Sequence, residues 1–301
     1  MLHNYFNASQ ESVKASEQLI NEGGYALYAK GDTPYASLFM ALNATETAEE
    51  VILARDYSNT VQLRHSVQNY TTSPTAGCTG VTRRLVDAYL MADGSFHTSR
   101  SNYNKMSFVD ECKNRDPRMA QTLRTPGYEI QGVPTPANLG AMKLGYQLRK
   151  FYIAVEYDGF SEVDLPVFRL GEVYLNYAEA ANEVDGATSL VYELVNTIRR
   201  RAGQPELPAG LSQEQMRDKI RQERRIELCF ENHRFWDVRR WMIAEEIDNG
   251  PVHRVTIDAE GNISYPVFQN RVFNPDRHYL FPIPQIEIDK NNALEQNPGW
   301  N

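Results

Sequence analysis

The stretch from residue 170 to residue 202 constrains the fold of this chain more than any other. Val173, Tyr174, Tyr177, Ala178, Ala181 and Val184 recur at the period of an α-helix and trace one apolar stripe. Past Gly186, a second stripe of Val191, Leu194, Val195, Ile198 and Ala202 repeats the pattern. It stops at Gly203, which can take the left-handed conformation that ends a helix, with Pro205, which cannot continue one, close behind. Two amphipathic helices joined by a short turn make an αα-hairpin, and one hairpin alone cannot bury both of its faces. The chain must supply further helices or leave apolar surface open.

Residues 9–21 offer one such helix, with Val13, Leu19 and Ile20 spaced around Ser16 and a stop at Gly23-Gly24. A third long helix opens at Ser212, which can cap the backbone of Gln215 while Leu211 and Met216 take the two staple positions. Its pattern runs to about Glu231 and leads into a further short helix within residues 232–241. Short helices are also expected over residues 35–42 and 81–91. A buried strand is expected over 50–55, and a half-buried one over 149–157, where Phe151, Ile153 and Val155 alternate. A hairpin is expected from 255–257 through Gly261-Asn262 to 263–265, and residues 58–80 and 132–145 read as loops. The fold class is therefore mostly α, with tetratricopeptide-like helical hairpins, extensive irregular loops and a few short strands. It is taken as one domain over residues 1–301. With few partner helices in view, the stripe of Val13, Leu19 and Ile20, or that of Val173, Tyr177 and Ala181, is expected to stay exposed and drive self-association.

Composition narrows the function. A chain of 301 residues, 42% of them hydrophobic, can bury a sizeable core. Its net charge of −8 and pI of about 5.4 argue against nucleic acid as a partner, because neutralising phosphates needs a basic surface. No run approaches the roughly 18 apolar residues of a membrane helix, and the first residues lack the charged and apolar regions of a signal peptide. Cys78, Cys112 and Cys229 have no C-x-x-C spacing and read as structural thiols, with a Cys78–Cys112 disulfide open if the protein is exported. No metal or other cofactor is expected, since the histidines show no H-E-x-x-H or other ligand spacing. Nor does a G-x-S-x-G, P-loop or Rossmann fingerprint occur.

Residues 169–180, Arg-Leu-Gly-Glu-Val-Tyr-Leu-Asn-Tyr-Ala-Glu-Ala, match the pattern R-x-x-E-x-x-L-x-Y-A-E-A, and residues 196–203 match N-x-[IV]-R-x-R-A-G. Residues 220–241 match I-x-x-E-R-R-x-E-L-x-F-E-x-x-R-x-x-D-L-x-R-W with Val238 in place of leucine. Earlier, residues 85–94 and Asn114-Arg115-Asp116-Pro117-Arg118 fit the region before this block, and Leu280-Phe281-Pro282-Ile283-Pro284 and Asn297-Pro298-Gly299-Trp300 fit the closing segment. In these features, which run in order over nearly the whole chain, it resembles the SusD/RagB family of outer-membrane nutrient-binding proteins.

The resemblance implies a SusD-like fold and a surface-exposed lipoprotein of the cell outer membrane, active in polysaccharide utilisation. Such a protein captures oligosaccharides without catalysis and passes them to a TonB-dependent, SusC-like transporter. The export signal, lipid-modified cysteine and further helices that members carry ahead of this region are missing from these residues, so the chain is expected to represent the C-terminal part of the family fold with its native C-terminus. The competing readings are a helical-repeat adaptor that binds another protein and, third, a glycoside hydrolase.

Glu223, Glu227 and Glu231 recur on one helical face, as a carboxylate pair of a hydrolase could. Arg221, Arg224, Arg225 and Arg234 stand among them, however, and pairing with arginine lowers a carboxylate's pKa, the wrong direction for a general acid. The block is expected to be structural. A sugar offers C–H groups to an aromatic face and hydroxyls to polar groups at its edge, so a glycan site combines aromatic rings with Asn, Asp, Arg or His. Residues 56–70 have that mixture in a loop after a strand, and residues 101–104 repeat it. The candidate ligand-binding residues are Tyr57, Arg64, His65, Tyr70 and Tyr103, the alternative being surface loops without ligand. Trp236 and Trp241, inside the Arg/Glu block, are expected in the core.

Overall fold

The computed structural model describes residues 2–77, 80–130, 132–153, 159–259 and 262–300. Helix α1 (Leu2–Glu22) starts earlier than the periodicity suggests and stops where the Gly23 N–H donates to Leu19 O at 2.9 Å, with Gly24 at φ +68°. Next come α2 (Pro34–Leu38), with proline pre-set in its first turn, strand β1 (Val51–Arg55), α3 (Val67–Thr72) and α4 (Arg83–Ala88). Then follow α5 (Phe108–Cys112), α6 (Pro117–Thr122) and a minimal ladder of β2 (Glu129–Ile130) with β3 (Val133–Pro134). Strand β4 (Leu165–Arg169) pairs antiparallel with β1, from Val51 opposite Arg169 to Arg55 opposite Leu165, and runs straight into α7 (Leu170–Asp185).

Gly186 turns the chain into α8 (Ser189–Arg201), which Thr188 caps, so the αα-hairpin forms as its spacing requires. In α9 (Gln213–Glu227) the capping box is complete, Ser212 accepting from the Gln215 N–H and the Gln215 side chain accepting from the Ser212 N–H. The rest is short: α10 (Arg234–Arg240), α11 (Ala244–Ile247), strands β5 (Gly250–His253), β6 (Thr256–Ile257), β7 (Ile263–Ser264) and β8 (Val267–Arg271), then α12 (Pro275–His278) and α13 (Gln285–Lys290). Strand β6 pairs with β7, as the expected hairpin required, inside a ladder of β5 with β8. Among the described residues no helix is long and apolar enough to cross a membrane.

The two stripes expected to stay open instead cover each other. α1 lies along α7, and its Val13 and Ile20 pack against a buried cluster that includes Tyr177, Ala181, Val191, Leu194, Met216 and Ile220. Val173, Tyr177 and Ala181 are buried. Because α7 contacts α1, α8 and α9, each helix finds a cover within the chain, and the exposed-stripe expectation is corrected. Each large side chain buried this way contributes about 1.5–3 kcal/mol.

Several boundaries moved, each because a residue distant in sequence captures backbone hydrogen bonds. α9 ends at Glu227 rather than Glu231: the Glu227 carbonyl, which a continuing helix would bond to the Glu231 N–H, accepts from Tyr35 Oη at 2.7 Å and Arg169 Nη2 at 2.9 Å. Lys150 Nζ takes the Cys229 carbonyl at 2.8 Å, and Phe230 and Asn232 turn the chain through positive φ. The expected helix over 81–91 shortens to α4 because Arg115 donates to the carbonyls of Val86 and Tyr89 and thereby ends it. Residues 149–153 form no strand. The N–H groups of both Arg149 and Lys150 donate to Thr122 O, Phe151 adopts φ +64°, and its ring is buried edge-on against Phe39. Val155 and Cys78, hence the disulfide considered above, lie outside the described residues.

Candidate functional site

The three glutamates lie at the centre of a buried ion network. Glu227 pairs with Arg118 at 2.9 Å, with Arg169 at 2.8 Å and with Arg201. Glu223 pairs with Arg118 at 2.5 Å and Arg199 at 2.9 Å, and Glu231 with Arg169 at 2.6 Å and Lys150 at 2.8 Å. Asp116 on Arg118, and Glu50 on Arg169 and Arg201, complete a set of five cations and five carboxylates whose side chains are all 6% exposed or less.

Burial alone would raise the Glu227 carboxyl, but Arg201, Arg169 and Arg118 together hold it well below the usual carboxylate range. Glu231 is held down in the same way, against burial, by Arg169 and Lys150. Such groups accept hydrogen bonds and do not release protons to a substrate near neutral pH. The structural reading of the block stands, but its partners differ. Arg224 bonds Asp237 at 2.9 and 3.0 Å, Arg221 lies 4.8 Å from the Trp241 ring, and Arg225 and Arg234 point elsewhere. Trp241 is buried and donates from Nε1 to Glu179 at 2.7 Å, whereas Trp236, expected in the core, is 56% exposed because α10 turns only Val238 and Asp237 inward.

Of the candidate ligand residues, Tyr57, Arg64 and His65 come together where the loop after β1 is bridged to Ser161 by two backbone hydrogen bonds of His65, at 3.0 and 2.8 Å. His65 is a buried brace. Its Nε2 donates to Val163 O at 2.8 Å, its Nδ1 accepts from the Val67 N–H at 3.2 Å, and burial lowers its pKa, keeping the ring neutral. The Tyr57 ring meets His65 edge-on at 4.5 Å, and its N–H donates to Asp164 at 2.7 Å. The Arg64 guanidinium sits 5.2 Å from the ring centroid of Phe160, which is 41% exposed. Tyr70, 59% exposed, projects from α3, a helix anchored by paired hydrogen bonds between the Gln68 amide and the backbone of Ile153 at 3.0 and 3.1 Å.

Tyr103 is not part of this surface. It lines a groove of about 1150 Å³ walled by α4, the turn from α9 into α10, and β5. Its hydroxyl donates to Asp87 at 2.5 Å, the Arg83 guanidinium lies 4.5 Å from its ring centroid, and burial and Asp87 push its pKa up to about 12. Among the described residues no group of three or more His, Cys, Asp or Glu is arranged to hold a metal ion. Phe160, between Gly159 and Ser161, was not among the sequence candidates, although it carries the same kind of signal as Tyr70 between Asn69 and Thr71, an aromatic ring among small polar residues.

Comparison with known proteins identifies the family of the chain. The model of the SusD family matches residues 49–300. SusD-like protein P2 of Formosa agariphila is 32% identical over 142 residues, which are 44% of this chain and 25% of that protein. SusD-like protein P25 of the same organism is 30% identical over 138 residues, 45% of this chain and 24% of the relative. Among solved structures, a SusD-like protein of Bacteroides fragilis superposes with a TM-score of 0.80 at 27% identity, covering 98% of this chain and 63% of that one. A SusD-like carbohydrate-binding protein of the same species gives 0.80 at 24% identity, covering 97% and 62%. The chain thus spans under two thirds of these solved chains, and its matched stretch about a quarter of the curated relatives.

Proposed function

The chain belongs to the SusD family, and from that premise we propose that it binds oligosaccharides without cleaving them, at the outer-membrane surface, for delivery to a TonB-dependent, SusC-like transporter. The observation that carries the reading is the presence of two open rings on adjoining segments, Phe160 beside the Arg64 guanidinium and Tyr70 next in sequence to Asn69, whose side-chain amide lies against Gly159. A pyranose stacks its C–H face on such a ring and turns its hydroxyls to guanidinium and amide groups at the edge, the combination this surface supplies. Tyr57 and His65 hold the loop in place, so the rings are presented by a braced backbone that loses little freedom on binding. In this reading all 301 residues act as one SusD-like unit. Catalysis is disfavoured because Glu223, Glu227 and Glu231, the glutamates considered as a hydrolase pair, are buried and ion-paired.

Calorimetric titration of oligosaccharides selected on a glycan array tests the proposal. Stacking on one ring is worth about 0.5–1.5 kcal/mol beyond burial, so Tyr70→Ala or Phe160→Ala should weaken binding by up to about tenfold with the melting temperature unchanged. Undiminished affinity in both variants would remove this surface from the reading.

A further inference from the structure

We propose that the groove walled by α4, the turn from α9 into α10, and β5 binds oligosaccharides carrying anionic substituents, carboxylate or sulfate ester, in preference to neutral ones. The inference rests on the glycan-binding reading and adds a second site with its own ligand chemistry.

The chain as a whole carries −8, yet this groove gathers five arginines, Arg83, Arg84, Arg225, Arg234 and Arg271, against two carboxylates, Asp87 and Asp248. The carboxylates engage only part of the set: Asp87 lies 3.4 Å from Arg83, and Asp248 lies 3.7 Å from Arg271 and 3.8 Å from Arg239. Among the described residues, Arg84, Arg225 and Arg234 have no carboxylate within 4.0 Å. Arg225 donates to the Arg84 carbonyl at 2.7 Å and Arg84 to the Ile247 carbonyl, acceptors that orient a guanidinium without balancing its charge. The consequence is visible at Arg225, which burial and then the neighbouring Arg234 and Arg84 push down to about 10. Asp237 and Asp248 offset part of the charge on Arg234, and Asp87 part of that on Arg225, from beyond ion-pair distance; the repulsion that remains among the three guanidinium groups is what an anion placed among them relieves.

The rest of the wall fits a sugar better than an acidic peptide. Phe96 and Phe230 open onto the groove with much of their rings uncovered, whereas the Phe235 ring is occupied by the Arg239 guanidinium, 3.5 Å from its centroid, and stacks on Phe281 at 5.9 Å. Open rings take the C–H faces of pyranoses, while guanidinium groups take carboxylate or sulfate oxygens, often two at a time. A groove of about 1150 Å³ exceeds the roughly 300–1,000 Å³ of a site for one drug-sized molecule, leaving room for more than one sugar unit.

The test is calorimetric titration of the parent chain with four probes: an oligogalacturonate and its methyl ester, and a sulfated galactan oligosaccharide and its desulfated form. At least one charged probe should bind ten or more times more tightly than its neutral counterpart, and which of them does so separates carboxylate from sulfate recognition. The preference should shrink as salt rises from 50 to 500 mM. It should disappear in Arg84→Gln/Arg271→Gln, a pair of exposed positions, and in Arg234→Gln. Should a variant fail to fold, the salt dependence of the parent's preference still decides. Equal affinity for charged and neutral probes, or a preference that survives the substitutions, overturns the inference and leaves neutral-sugar binding at Tyr70 standing. Hexaglutamate binding as tightly as the charged sugar reassigns the groove to an acidic peptide and also overturns it. Failure of all four probes while an array-selected oligosaccharide still binds overturns this inference alone, and failure of both overturns the glycan-binding reading as well.

Discussion

Glu227→Gln keeps the shape of the side chain and removes the charge that Arg118, Arg169 and Arg201 share. Before the change, five buried cations face five carboxylates; afterwards four carboxylates remain, and the surplus positive charge sits on guanidinium groups no more than 3% exposed. Removing one partner of a buried ion pair costs about 3–5 kcal/mol, because the remaining charge stays desolvated. That is a large share of the roughly 5–15 kcal/mol that holds a domain folded. At about 2 °C per kcal/mol for a chain of this size, the melting temperature should fall by about 6–10 °C. Guanidinium titration should show a lower midpoint with an unchanged slope. Glu193→Gln, which disrupts an exposed pair with Arg200, is the matched control and should change stability by less than about 1 kcal/mol. A Glu227→Gln protein as stable as the parent, or more so, would refute the reasoning.

Stability should also depend on pH in a defined direction. Glu227 and Glu231 are held below their unfolded pKa, so the stability they contribute is complete above about pH 4.3 and is lost as pH falls through the lower folded values. His97 is fully buried, and burial followed by Arg115, Arg100 and Arg83 lowers it to about 3; its unfolded form protonates near pH 6.5, so stability should already decline from there downward. Melting curves from pH 8 to pH 3 should fall in these two stages, His97→Leu should shrink the upper one, to which His65 also contributes, and a level profile would count against both assignments. Ile20→Ala, at the face of α1 that covers α7, should cost about 1–2 kcal/mol, while exposed Lys14→Ala should stay within about 0.5 kcal/mol. Equal effects would mean that α1 does not pack as described.

What was legible in the sequence was local. The stripes of α7 and α8, the glycine that separates them and the capping box of α9 are set within a few residues, and each formed as its spacing requires. The end of α9 was not legible, because it is decided by Tyr35 and Arg169, which reach the Glu227 carbonyl from 192 and 58 residues away. The same cause misdirected the ion pairs. Arg224 and Arg225 are close in sequence to the glutamates but leave the helix on other faces, whereas the true partners come from α6, α8, the end of β4 and the loop that carries Lys150. Tyr57 and Tyr103 carry the same local signature and part company only in three dimensions, one on the braced loop and one in the groove. The arginines of that groove come from α4, α9, α10 and β8, so no window of sequence displays them as a patch.

The central claim is that this chain binds glycans and leaves them intact. It is tested most directly by titrating the parent protein with an oligosaccharide panel in a calorimeter and assaying the same samples for new reducing ends after prolonged incubation. Saturable binding of at least one oligosaccharide with no release of reducing ends is the expected result. Either the absence of binding to every member of the panel, or a steady release of reducing ends that Glu227→Gln abolishes, would contradict it.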